Sequence, residues 1–525
     1  MKRFLILALA LSALSSELMS NDLSWNSPVT VSTAGVDASD PNIVMDPSGN
    51  ATAAWVEGGF VKASSQPVGG SWSALTTLSG SGASLPKLGI DTAGNVTAIW
   101  LEGGIVKTAA LPFGGSWSVA SNVSGIIGAA SDPRLAVDSS GNAVAAWVKG
   151  GLIEVSKKPF GGSWSLVNTF SLNPASDNPK VAIGGGRALV TWHAVSSGQD
   201  QILASTSTVA GSWGTVQNLI FAATAGHNHN YPRGAMDTSG NARVIWFRSD
   251  LSGSDYINDV VISSSLLSGA ASWDTPVQLS NVGMRNPSEL INRIAFDQNG
   301  NAIAVWTSST DGSTFNVEST VVQHGGVLNN STQVAGNNKY AFSADLAVNS
   351  LGCALIPVMV FDGTNSSIFA QETDFGGFEV NVFTDSALIS TGADNAYPRA
   401  ATGYSAGTVN AAVAWINFDG AHKVIQIATG TKPIVAPPTG LGVVQGSSNF
   451  GVFTEYYNTF TWTASTDPNL TGYVFYRDGV LFATAGPTDT QIVDHNRVQN
   501  GAVTYSIAAF DNRLIQSPIV SVSFP

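Results

Sequence analysis

Apolar and polar residues alternate with the period of a β-strand over most of the chain, and the 3.6-residue period of an amphipathic helix is almost absent. The alternation comes in units. Pro41-Asn-Ile-Val-Met-Asp46-Pro-Ser-Gly49-Asn50-Ala-Thr-Ala-Ala-Trp55 returns as Pro86 to Trp100, with Asp91, Gly94 and Asn95 in register. It returns again as Pro133 to Trp147, with Asp138, Gly141 and Asn142. Weaker copies end at Trp192, Trp246, Trp306 and Trp415, and one without tryptophan runs from Asp345 through Gly352 to Pro357. Each Asp-x-x-Gly-Asn reads as a tight turn, because Gly and Asn tolerate the left-handed backbone a hairpin bend requires.

Every unit predicts four short strands. The first two flank the Asp-turn, and Gly58-Gly59, Gly103-Gly104 and Gly150-Gly151 turn the chain into a third. The third ends at Val68-Gly-Gly-Ser-Trp72, Phe113-Gly-Gly-Ser-Trp117 and Phe160-Gly-Gly-Ser-Trp164, which lead to a fourth, outer strand. The first three tryptophans stand 45 and 47 residues apart, a spacing that fits one blade of a β-propeller and no helical repeat. The expected fold class is therefore all-β. An orphan fourth-strand segment, Ser24-Trp25 to Ser32, precedes the first unit, and the last unit lacks its own. This predicts an eight-bladed ring closed by an N-terminal strand, with seven blades as the alternative count because the seventh unit is degenerate. A fixed position at a strand end assigns Trp55, Trp100 and Trp147 to packing between blades.

Composition narrows the function. Only 11% of the 525 residues are charged, against roughly 25% in ordinary soluble domains, and the net charge of −13 argues against a nucleic-acid partner. The lone Cys353 excludes an internal disulfide or a multi-cysteine zinc site and reads as a buried, inert strand residue. Lys2-Arg3, an apolar run from Phe4 to Leu14 and Ser15-Ser16 have the form of a secretory signal, too short to span a bilayer. The expectation is export to the periplasm or the exterior of a bacterium. The expected organisation is a signal peptide at 1–20, a propeller at 21–430, a proline-rich linker at 431–438 and a second domain at 439–525.

That second domain resembles a fibronectin type III module through Pro437-Pro-Thr-Gly-Leu441, Phe460-Thr-Trp462, Gly472-Tyr473-Val-Phe-Tyr476 and Tyr505 to Asp511. The resemblance implies a β-sandwich with Trp462 and Tyr473 in its core and Tyr505 at its corner. It implies a spacer or adhesion role, not a catalytic one. In the repeats, Gly-Gly-Ser-Trp resembles the tail of the sialidase Asp-box. The box aspartate falls on Pro159 and its serine on Lys157, so the resemblance implies propeller topology more than hydrolysis.

Stacking the units on their Asp-turns brings out one further pattern. The residue at the start of each innermost strand is Asn42, Lys87, Arg134, Lys180, Arg233, Arg293, Asp345 or Arg399. Six cations in one register would line a rim of the central channel and attract carboxylate, sulfate or phosphate. The competing reading is local pairing with Asp40, Asp132, Asp177 and Asp394. His227 and His229 form a weak candidate metal pair, and no cofactor motif is present. Tyr231, Tyr340, Tyr397 and Glu289 are the residues a tyrosine-based glycosidase would draw on, yet nothing in the sequence pairs them. The expected function is an exported, non-enzymatic binding protein for an anionic glycan or a surface protein, using the channel mouth. The alternatives are a sialidase-like glycoside hydrolase and a structural envelope protein without a small-ligand site.

Overall fold

A computed structural model describes residues 23–126, 129–170, 175–220, 227–252, 255–280, 292–297, 300–309, 314–322, 332–335, 340–343, 345–373, 383–390, 394–405, 407–467, 469–511, 517 and 519–524. Residues 1–20, read from the sequence as a signal peptide, and Glu289 lie outside them. Among the described residues the protein is all-β, and no helix is long and apolar enough to cross a membrane. Packing divides the chain into two units, Asn26–Ser405 with Asn410–Thr429, and Gly430–Pro525 with Met1–Trp25 and Ala406–Val409.

The larger unit is a succession of small antiparallel sheets, each built mainly from consecutive strands. The first runs Ala38–Met45, Ala51–Glu57, Phe60–Gln66 and Thr76–Thr77, from inner to outer edge. The same order starts again at Ala83–Ile90, Ala130–Val137, Ser176–Gly184, His227–Met236 and Asn292–Phe296. In the degenerate unit the inner edge is split: Tyr340–Ser343 and Ala347–Val348 both pair with Ala354–Phe361. The last sheet begins at Asn395–Ser405. Val29–Thr30 pairs antiparallel with Ile427 and Gln426, so the segment ahead of the first unit supplies an edge of the last sheet and covers it. Inner strands touch their successors around the series, and Ala38–Met45 touches Asn395–Ser405, which is the construction of a β-propeller.

Packing between sheets follows from the repeat. Trp100 packs with Ala54, Val61 and Ala63 of the preceding sheet, Trp147 with Ile99 and Val106, and Trp192 with Ile153 and Val155. Trp55 packs with Ala412, Ala414, Ile425 and Ile427 of the last sheet, so the first and last sheets share a core. All of these tryptophans are buried, and truncating one would cost about 3–5 kcal/mol. The small residues opposite them make room for an indole, which accounts for the alanine-rich, nearly uncharged composition.

The Asp-turns are held by side chains. Asp46 accepts the backbone N–H of Asn50 at 2.9 Å and its side-chain amide at 2.7 Å, and Asn50 in turn accepts the N–H of Val68. Asp91 and Asn95 repeat the arrangement, as do Asp138 and Asn142. Gly94 has φ +85°, and a Cβ there would stand 2.6 Å from Phe113 and 3.0 Å from Asp46 of the preceding sheet. The turn glycine is thus also a contact between sheets.

The outer strands are shorter than the sequence implies, two residues at Thr76–Thr77 and Ser121–Asn122. Serine accounts for this: Ser73 Oγ accepts the N–H of Ser65, and Ser64 Oγ donates to the carbonyl of Ser73. Hydroxyls stand in for ladder bonds and blunt the edge. Cys353 is buried but lies in the turn ahead of Ala354–Phe361, not within a strand.

The smaller unit holds two antiparallel sheets. One joins Thr439–Asn449, Thr454–Thr463 and Gln491–Arg497; the other joins Val480–Ala485, Leu470–Arg477, Val503–Asp511 and Val520–Phe524. Phe460, Trp462, Tyr473, Phe475, Tyr505 and Ile507 share its core. Tyr505 does not reach back to the backbone as a corner tyrosine does. Its hydroxyl donates to Asp494 at 2.7 Å and accepts from Asn458 at 2.9 Å, whereas Tyr473 Oη accepts the backbone N–H of Ser465.

Candidate functional site

The basic register rests on a repeated backbone device. The ladder between first and second strands slips at Ser39/Asn42, Ser84/Lys87, Ser131/Arg134, Asp177/Lys180 and Asn230/Arg233. At each slip a residue with positive φ precedes a proline: Asp40 at 53°, Leu85 at 53°, Asp132 at 49°, Asn178 at 51° and Tyr231 at 55°. Tyr397, before Pro398, repeats it at 52°. Proline offers no N–H to the ladder, so the strand bulges there and re-aims the residue that follows. Asp and Asn accept the left-handed region readily. Leu85, Tyr231 and Tyr397 do not, and such a residue costs about 1–3 kcal/mol.

The residue after the proline is the register position. Lys87 Nζ donates to the carbonyl of Pro86 at 3.2 Å, Arg134 Nη1 to Pro133 at 3.3 Å and Lys180 Nζ to Pro179 at 3.0 Å. Arg399 Nη1 donates to Pro398 at 3.1 Å, and Arg293 Nη1 to Asn292 at 2.8 Å. Five cations thus fold back on the preceding carbonyl in the same way. Arg233 departs from the pattern: among the described residues it has neither hydrogen bond nor ion pair, and its Nε is buried without a partner.

The structure brings the six predicted cations within electrostatic reach of one another. Burial, with Arg134 and Arg399 adding to it, pushes Lys87 down to about 7. Burial, then Arg233 and Arg134, holds Lys180 well below the ordinary lysine range. Arg233 is pushed well down by burial and by Arg293 and Arg134. Arg293 falls to about 10, chiefly through burial, with Asp345 opposing. Arg134 is lowered by burial against the pull of Asp132. Lysine relieves such a field by shedding its proton, whereas arginine keeps its charge.

Local pairing accounts for part of the register. Arg134 forms an ion pair with Asp132, and Arg293 Nε lies 3.4 Å from Asp345 of the degenerate unit. Asp40 acts on Lys87 through its field. Asp177, expected near Lys180, instead binds His193 at 2.9 Å, and Asp394 lines a separate cleft. Asp132 also attracts Lys87, Lys180 and Arg233, so carboxylates at Asp40, Asp132 and Asp345 act on Lys87, Arg134, Lys180, Arg233 and Arg293. The cleft, of about 370 Å³, lies along the last sheet between Asp394, Tyr397, Ile416, Phe418 and Lys423. Tyr397 and Phe418 are exposed there, and Tyr397 is two residues from Arg399.

The remaining candidates have other partners. His229 Nδ1 accepts the indole N–H of Trp246 at 3.1 Å, and burial lowers its pKa to about 4, so this histidine is turned into the packing. Among the described residues no group of three or more His, Cys, Asp or Glu could hold a metal with it. Tyr340 packs on Phe315 at 5.4 Å between ring centroids.

Two sites escaped sequence reading. His193 bridges Asp177 at 2.9 Å and Asp200 at 3.0 Å, and these bonds outweigh burial and raise its pKa. Lys157 is buried, donates to Ser207 Oγ and to the carbonyls of Thr208 and Gly211 at 2.6–2.8 Å, and sits 5.0 Å from the Trp213 ring centroid. The basic residue in place of an Asp-box serine was the only clue to it.

No protein-family model matches the chain, and no curated protein matches it. Among solved structures, the spore cortex lytic enzyme SleM of Clostridium perfringens aligns at 17% identity over 24% of this chain and 38% of its own length, with a TM-score of 0.14. Aleuria aurantia lectin, bound to α-methyl-L-fucoside, aligns at 14% identity over 59% of this chain and 97% of its own, with a TM-score of 0.33. An α-L-arabinofuranosidase of Fusarium graminearum aligns at 13% identity over 57% and 92%, with a TM-score of 0.34. Likenesses at this level assign no ligand and no reaction to this chain.

Proposed function

We propose that the protein is an exported binding module in which an eight-bladed β-propeller captures an acidic glycan at the mouth of its channel. The smaller unit, 439–525, serves in this reading as a fibronectin type III spacer after a linker at 431–438, with 1–20 removed on export. The observation that carries the reading is that Lys87, Arg134, Lys180, Arg233, Arg293 and Arg399 lie within one another's electrostatic reach, with Arg233 lacking a hydrogen bond or ion pair among the described residues. A cluster of like charges, held partly out of water, is stabilised when an anion enters it.

Two features favour a sugar as the carrier of the charge. Tyr397 and Phe418 flank a cleft on the last sheet, which also carries Arg399, and aromatic faces bury the apolar side of a pyranose while leaving its hydroxyls to polar groups. Asp394 and Lys423 stand in the same cleft as partners for such hydroxyls. A glycan array probed with the wild type, Arg233→Ala and Arg399→Ala tests the reading. Wild type should retain acidic glycans, and each variant should lose at least tenfold in apparent affinity. Retention of neutral glycans alone, or variants indistinguishable from wild type, would refute it.

A further inference from the structure

At each ladder slip of the first five sheets, the residue ahead of the left-handed step pairs with a residue of the second strand. The pairs are Ser39 with Val56, Ser84 with Leu101, Ser131 with Val148, Asp177 with His193 and Asn230 with Phe247. Of these five, the fourth alone joins two titratable side chains. His193 is buried and held by both ring nitrogens, with Nδ1 2.9 Å from Asp177 Oδ1 and Nε2 3.0 Å from Asp200 Oδ1. A carboxylate only accepts hydrogen bonds and a neutral imidazole has one N–H to give, so both bonds form together only on an imidazolium.

The two carboxylates differ. Asp177 is 58% exposed, where water can replace the ring as its partner. Asp200 is 19% exposed, and its Oδ2 also accepts the backbone N–H of His229 at 3.0 Å, which ties the third strand of the fourth sheet to the first strand of the fifth. His229 faces this cluster from the fifth sheet, with Arg248 and His227 acting on it, and burial keeps it neutral by lowering its pKa to about 4. Burial also opposes the charge on His193, but the bonds to Asp177 and Asp200 together outweigh it.

We propose that His193 is a proton-operated brace on the bulge that places Lys180. As an imidazolium it ties Asp177 to Asp200. As pH rises it gives its Nδ1 proton to solvent, keeps Nε2–H on the less exposed Asp200 and lets Asp177 go to water. Ser176–Gly184 is then unpinned just ahead of Asn178, Pro179 and Lys180, while the tie from Asp200 to His229 remains. His193 acts on Lys180 through Asp177, as a positioning residue.

NMR of the full chain labelled with ¹⁵N-histidine, from pH 5.5 to 9, tests the brace, with His193→Gln identifying the ring. Both ring nitrogens of His193 should be protonated at pH 5.5, and at pH 9 Nε2 alone should keep its proton. Asp177→Asn should lower the midpoint and leave that tautomer in place. Hydrogen–deuterium exchange, corrected for the intrinsic rate, should show protection over 176–180 falling by about threefold or more between pH 5.5 and 9, with 227–231 unchanged. A ring neutral at pH 5.5, or one that keeps the Nδ1 proton instead, overturns the proposal. So does protection over 176–180 that ignores pH, or that falls together with 227–231. Wild-type exchange decides the matter if the His193 variant does not fold.

Discussion

If the cation register is an anion site, two substitutions of opposite charge should move the stability of the ligand-free protein in opposite directions. Arg233→Met keeps the length of the side chain and removes a cation that has no hydrogen bond or ion pair among the described residues. It also relieves repulsion from Arg293, Arg134 and Arg399. Like charges about 8 Å apart repel by about 2 kcal/mol at an effective dielectric near 20. Replacing buried ion pairs by apolar side chains is neutral or gains about 1–4 kcal/mol, and a charge without a pair gives up no attraction when it is replaced. Asp132→Asn does the reverse. It breaks the pair with Arg134 and withdraws the carboxylate that also attracts Lys87, Lys180 and Arg233. Asparagine accepts the positive φ of 49° at this position, so the backbone is not the cause of any loss. The expected cost is about 2–4 kcal/mol, discounted for an aspartate that is 29% exposed. A unit of roughly 400 residues moves its melting point by about 1 °C per kcal/mol. Calorimetry in phosphate-free, low-salt buffer should therefore show Arg233→Met melting about 1–4 °C above wild type and Asp132→Asn about 2–4 °C below. Phosphate should restore the Asp variant. A drop of more than 2 °C for Arg233→Met would mean that the arginine is a structural strut, and the charge argument would fail.

Three further outcomes follow from titrating and buried groups. Lys87 is held near 7 in the fold against 10.5 when unfolded, so the unfolded chain binds more protons between those values. Stability should rise with pH across that window by at most about 1.4 kcal/mol per unit, and Lys87→Met should remove its share, as read from denaturant midpoints at pH 7 and 9.5. His193 has a raised pKa, so its contribution is full below about pH 6.5 and fades as pH climbs through the higher folded value. His193→Gln should cost most at pH 5.5 and least at pH 9; a loss independent of pH would point to packing alone. Lys157→Met should cost about 2–4 kcal/mol in guanidinium unfolding, because it removes three hydrogen bonds at once, to Ser207 Oγ and to the carbonyls of Thr208 and Gly211, and an unchanged midpoint would contradict that strap.

Much of this was legible because the repeat imposes the same chemistry at the same step. The Asp-turn, the glycine pairs and the buried tryptophans each follow from one unit and then recur. The cation register was legible for the same reason, once Lys180 was aligned on Gly184. Partners across sheets were not. Asp345 reads as a defect in a degenerate unit, yet it crosses to Arg293 and accepts the N–H of Ala400. Asp177 precedes Lys180 by three residues, but the bulge between them turns its carboxylate to His193. Spacing along a strand predicts which face a residue occupies only while the pleat is regular, and the left-handed residue before each proline breaks it.

The same register supplies its own control for whether the cations are needed to fold the ring. Asn42 occupies the position in the first sheet, and its Oδ1 accepts the backbone N–H of Leu88 at 2.9 Å, joining that sheet to the next. A neutral side chain thus satisfies the strand at this step and adds a bond between sheets. Asp345 occupies the corresponding position in the degenerate unit, so an acidic residue is compatible with it as well. If packing alone set the residue type, asparagine would be the economical choice throughout. Lys87 and Lys180 instead make one hydrogen bond each among the described residues, to the preceding proline carbonyl, while burial and neighbouring cations lower their affinity for protons. Arg233 makes none among the described residues. Residues that bring repulsion to a position where a neutral residue serves are what the proposed anion site would require.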